Sequence, residues 1–148
     1  MTPKESGFAT DQSGDKSPHS KCLTHYRAKY IWLATAPARL STAAAEAIDD
    51  ESNELFLSDV THWEITLKHF VGKLPLPEPP RIWSPKQVSF FDLRPVHIDS
   101  EAIFRSGELP TPHRDPFDRL LAAQSVAGSF RFVTADKVFE DLGVDCLW

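Results

Sequence analysis

The sequence predicts an α/β domain with a mostly parallel central sheet covered on both faces by helices. Short apolar runs of strand length, such as Glu54-Leu55-Phe56-Leu57-Ser58 and Phe130-Arg131-Phe132-Val133, alternate with stretches of helical character. That alternation implies crossover connections, and therefore parallel strands buried on both faces. A length of 148 residues, with 41% apolar and 25% charged, suffices for one core and is too short for two.

Taken in order, residues 1–20 hold only Met1, Phe8 and Ala9 as apolar positions, so they are expected to be a disordered tail. Order is expected to begin near Tyr30-Ile31-Trp32-Leu33. Ser41 then caps an alanine-rich helix to about Asp49. Glu54–Ser58 reads as a buried strand. The next helix places Trp63, Leu67, Phe70 and Val71 on one face at three- and four-residue spacing, and Gly72 ends it. From Leu74 to Pro85 five prolines predict an extended connection with no helix interior. Arg94–Ile98 is a short strand, and Asp99 or Ser100 starts a helix to about Gly107. Pro110 and Pro112 punctuate a loop, and a helix from Pro116 to about Ala127 stops at Gly128. Phe130–Thr134 is a strand, Val138–Leu142 a helical turn, and Val144–Trp148 the last strand.

Bulk properties narrow the function. A net charge of −5 disfavours nucleic-acid binding through the overall field, so such a partner must be met by a local basic patch or through metal ions. Two cysteines, Cys22 and Cys146, are too few for a disulfide framework and fit reduced thiols in a cytoplasmic protein. No apolar run is long enough to span a membrane, and no signal-peptide layout opens the chain. The six histidines lack zinc-protease spacing, and neither a Gly-rich phosphate loop nor a Gly-x-Ser-x-Gly turn is present.

The informative residues are acids. In Asp115-Pro116-Phe117-Asp118, cap and dipole chemistry alone could justify both aspartates. Asp136 could be an ordinary turn acid, but it follows a strand, at the sheet edge where open parallel sheets gather ligands. The crossover brings the start of the preceding helix toward the same edge, so Asp118 and Asp136 can converge. Glu64 reads either as an exposed helix acid paired with Lys68 or as a third member of the group. Three carboxylates on separate elements suit Mg²⁺ or Mn²⁺, which favour oxygen ligands. Lys68, Lys73, Arg114 and Arg119 read by default as solvated surface charge, with phosphate contact the alternative.

Taken together, Trp63-Glu64-Ile65 with Lys68 and Gly72-Lys73-Leu74, then His113-Arg114-Asp115-Pro116-Phe117-Asp118-Arg119-Leu120-Leu121, then Thr134-Ala135-Asp136 resemble the PIN-domain family, most closely VapC-type toxins. The resemblance covers the chain from about Tyr30 to Trp148. It implies a three-layer α/β/α fold, metal-dependent endoribonuclease activity on RNA, a cognate antitoxin and often a homodimer. By position, Glu64, Asp118 and Asp136 correspond to the family's acids, with Asp115 accessory. The family's first acid ends an initial strand, and here the chain departs. That acid falls on Leu23 if Thr24-His25 is aligned, or on Tyr26 if Tyr30–Leu33 is aligned. Residues 21–29 also lack the apolar run of a central strand, so they are expected to be an atypical segment replacing it. A frame disruption or a misplaced gene start would produce such an N-terminus. The expected result is a weakened ribonuclease toxin. The alternative is a catalytically inactive PIN-like module that binds an antitoxin or partner chain.

Overall fold

A computed structural model of the chain describes residues 20–24 and 40–148. The strands β1 (Lys21–Thr24), β2 (Glu54–Ser58), β3 (Arg94–Val96), β4 (Arg131–Val133) and β5 (Cys146–Leu147) form one sheet in the order β3-β2-β1-β4-β5. Every pairing is parallel. Six described helices connect and cover them: α1 (Thr42–Asp49), α2 (Asp59–Phe70), α3 (Pro80–Phe90), α4 (Ser100–Glu108), α5 (Pro116–Gly128) and α6 (Val138–Asp141). The predicted α/β/α architecture is therefore the observed one.

The pleat divides the core. On one face, Leu23 packs with Phe132, with Leu120, Leu121 and Ala122 of α5, and with Phe139 of α6. On the other, Cys22 and Val133 meet Ala44 and Ile48 of α1, while Leu57 meets Trp83 of α3. Parallel strands covered this way must be apolar on both sides, as Leu-Phe-Leu in β2 and Phe-Val in β4 are.

Several expectations need correction. The segment read as lacking a central strand supplies the middle strand: Leu23 pairs with Phe56 of β2 and with Phe132 of β4. Four residues suffice because β1 is flanked on both sides, so its neighbours provide the ladder and the packing. The remainder of that segment, the proposed start of order near Tyr30, and residues 1–19 of the tail lie outside the described residues. The proline-rich connection gives way to helix at Pro80, and Pro85 lies inside α3. Proline suits the first turn, and only one later helical bond is forfeited at Pro85. On α2 the large apolar residues point outward: Trp63 and Leu67 are partly exposed and Phe70 largely so, while Val60, Thr61, Glu64 and Ile65 are buried.

The terminators also differ in detail. Gly72 follows α2 with φ +73°, as a helix-ending glycine should. The left-handed residue after α5, however, is Ser129 (φ 53°), one position beyond Gly128.

Both cysteines are free thiols. Burial, helped by the nearby Glu140, Asp145 and Asp136 carboxylates, pushes the Cys146 thiol up to about 11. A raised folded-state value keeps its stabilising contribution below the unfolded thiol's ~8.5 and loses it as pH rises toward that value. The denaturation midpoint is therefore expected to fall between about pH 8.5 and 11. Cys146→Ala should flatten that slope; an unchanged slope would assign the loss to other groups.

Candidate functional site

In a parallel sheet all carboxyl ends lie along one edge, and the elements that carry Glu64, Asp118 and Asp136 start or end there. Ser58 ends β2 and caps α2, its hydroxyl accepting from the Val60 amide at 3.0 Å. Glu64 thus sits in the second turn of the helix leaving that edge. Helix α5 feeds β4 through a short connection, so its first turn, with Asp118, returns to the same edge. Asp136 follows β4 directly, beyond Thr134.

Helices α2 and α5 pack together, and the rings of Trp63 and Phe117 meet edge to face with centroids 4.9 Å apart. Each ring is the sequence neighbour of an acid, so Glu64 and Asp118 lie on adjoining helices. Glu64 is 2% exposed, and its Oε1 accepts a hydrogen bond from the Lys68 ammonium at 2.5 Å. Its Oε2 is also buried and accepts no hydrogen bond among the described residues. The surface-pair reading of Glu64 is therefore overturned, although the expected i+4 partner is present. Burial of a paired charge costs more solvation than a surface pair loses, which makes a purely stabilising role for this carboxylate weak.

Asp118 is partly buried at the start of α5, with its Oδ2 2.8 Å from Nε2 of His113. Asp115 caps the helix, as its position predicts: its Oδ1 accepts from the amides of Phe117 at 2.9 Å and Asp118 at 3.3 Å. Asp136 is half-buried and engaged locally, its Oδ1 accepting from the Val138 amide at 3.1 Å at the start of α6. Asp115→Ala is expected to cost ~0.5–2 kcal/mol, the usual loss of an N-cap. A urea-denaturation midpoint identical to that of the unmodified protein would mean another group takes over the cap.

Among the described residues, no group of three or more His, Cys, Asp or Glu side chains gathers in a form that could hold a metal ion. The described chain brings Glu64 and Asp118 onto neighbouring helices and leaves Asp136 turned to a local capping bond. Their oxygen donors still match what Mg²⁺ and Mn²⁺ select. Mg²⁺ usually keeps several waters and takes one or two protein carboxylates, so a dedicated cage is not required. Of the two positions considered for the family's first acid, Leu23 is wholly buried in the apolar core and Tyr26 lies outside the described residues.

Two residues here escaped the sequence reading. His113 touches Asp118, a contact readable only from its place in the loop before the helix. Arg119 is no solvated surface charge: its guanidinium donates to the carbonyls of Ser106, Thr111, His113 and Leu109. It holds the connection between α4 and α5, and nothing in its local pattern announces a backbone clamp.

The model of the PIN domain family matches residues 30–145. The chain belongs to the PIN domain family. PIN domains are generally nucleases and typically use a divalent metal. The matched stretch begins after β1, so this PIN domain takes its middle strand from upstream of it. No curated protein sequence matches the chain. Solved structures share its fold. VapBC2 from Rickettsia felis, bound to a DNA fragment from its promoter, aligns with TM-score 0.64 and 15% identity over 86% of this chain and 97% of that one. VapBC-1 from nontypeable Haemophilus influenzae aligns with TM-score 0.57 and 11% identity over 86% and 96%. FitAB bound to the IR36 DNA fragment aligns with TM-score 0.52 and 17% identity over 85% and 93%. At such identities the likeness is one of fold. No described helix of this PIN domain is long and apolar enough to cross a membrane.

Proposed function

We propose that this PIN domain is a cytoplasmic endoribonuclease dependent on Mg²⁺ or Mn²⁺, the toxin of a toxin–antitoxin pair, with activity weakened by loss of the family's first acid. The observation that carries this reading is Glu64: a carboxylate 2% exposed, on the helix leaving the carboxyl edge of the sheet, beside the helix that bears Asp118. Glu64, Asp118 and Asp136 are the residues that would hold the ion. Bound there, a divalent cation supplies an activated water and neutralises charge on a phosphoryl oxygen.

The protein's own residues do the positioning. Asp115 acts as the accessory acid by starting α5 and so orienting Asp118 one turn in. His113 restrains the Asp118 carboxylate through its Nε2 contact. RNA is the substrate, met through the metal and not through a net field of the wrong sign. The fold shared with chains of the VapBC and FitAB complexes supports a protein antitoxin as partner, and a homodimer is the proposed assembly.

A second reading, an inactive module that retains antitoxin binding, is favoured by one observation. Where the Thr24-His25 alignment puts the family's first acid, Leu23 is fully buried and apolar. The deciding experiment is RNA cleavage by the purified chain with and without added Mg²⁺ or Mn²⁺, beside Asp118→Asn. Slow, metal-dependent cleavage that Asp118→Asn abolishes is the expected result. No cleavage by the unmodified chain would replace the first reading with the second.

A further inference from the structure

We propose that Lys68 is the resident counter-ion of Glu64, holding the buried carboxylate when no metal is bound and withdrawing when a divalent cation arrives, so that it sets the site's metal affinity. The inference rests on reading Glu64 as a metal ligand.

Glu64 lies on the inward face of α2 with Val60, Thr61 and Ile65, and a carboxylate so placed is costly unless a charge compensates it. Lys68, one turn on, brings its Nζ to 2.5 Å from Oε1. That is a short charge-assisted hydrogen bond to one of the two oxygens a metal would use.

An ammonium and a divalent cation cannot both crowd one carboxylate in a partly dehydrated site without strong mutual repulsion. One must retreat, and the geometry favours Lys68. Its side chain is 26% exposed against 3% for Glu64, and its ammonium sits on a flexible four-carbon stem. The ammonium can move to water while the carboxylate stays. Metal binding then becomes an exchange of cations, and its affinity is reduced by whatever the Lys68 contact is worth.

A merely structural ion pair makes a different prediction, which decides the experiment. Mn²⁺ binding is measured at pH 8 by calorimetry and by the metal-induced rise in melting temperature. The proteins are the full-length chain, Lys68→Gln, Lys68→Met, Lys68→Arg and Glu64→Gln. Lys68→Gln and Lys68→Met should melt lower without metal yet bind Mn²⁺ about tenfold more tightly, the weight of one charge-assisted contact. Lys68→Arg, which keeps the charge, should stay near the unmodified affinity. Should Lys68→Met fail to fold, Lys68→Gln decides, since its amide can still donate to Oε1. Equal or weaker Mn²⁺ binding by a folded Lys68→Gln overturns the proposal. The Glu64→Gln arm separates the two levels. Loss of Mn²⁺ there without a gain in Lys68→Gln sinks only the counter-ion role. Unchanged Mn²⁺ affinity in Glu64→Gln removes the ligand reading and the proposal with it.

Discussion

Arg119→Ala is expected to destabilise the protein by about 3 kcal/mol, a far larger effect than a surface charge can produce. The guanidinium donates through Nε to the Ser106 carbonyl at 2.7 Å. It donates through Nη1 to Thr111 at 2.5 Å and His113 at 3.1 Å, and through Nη2 to Leu109 at 3.3 Å. The connection it grips holds Pro110 and Pro112 and forms no strand or helix, so its carbonyls have no ladder to join. Truncation therefore strips partners from several partly buried acceptors at once. Lysine would not restore them, because an ammonium lacks the planar fork that reaches both sides of the loop. Urea denaturation of Arg119→Ala and Arg119→Lys reads the effect directly. A loss below about 0.5 kcal/mol in both would show that the loop is held by other contacts. The proposed RNA cleavage should fall as well, because the same loop carries His113 to Asp118.

Gly128→Ala should be the next most damaging change, at ~1–3 kcal/mol. A Cβ at Gly128 would stand 2.2 Å from Cε2 and 2.6 Å from Cδ2 of the Phe130 ring. That ring is not at liberty to swing away. It packs on Phe56 with centroids 4.9 Å apart and borders the core cluster of Leu23 and Phe132. The glycine thus serves close approach, and the left-handed turn is left to Ser129 (φ 53°). Combining Gly128→Ala with Phe130→Leu should cost less than the sum of the two single changes, because they share one clash. Additive losses in denaturation would mean that Phe130 is not the obstacle.

By itself the sequence determined the features that depend on a few neighbouring residues. Ser41, Asp99 and Asp115 start helices because each side chain reaches an amide two or three positions on. The alternation of strand-length apolar runs with helices implied a parallel sheet, and linked motifs around Glu64, Asp118 and Asp136 indicated the family. Tertiary structure decided whatever depends on what an element is packed against. Four residues, Lys21 to Thr24, are too few to show a period, and only flanking by β2 and β4 makes them the middle strand. On α2 two stripes compete. The bulky one of Trp63, Leu67 and Phe70 looked like the core, yet the stripe of Val60, Thr61, Glu64 and Ile65 is buried. Side-chain size along one helix cannot reveal which stripe the sheet and α5 will cover. For the same reason the sequence could name Lys68 as the i+4 partner of Glu64, while burial of that carboxylate, and with it the chemistry of the pair, follows from the packed structure alone.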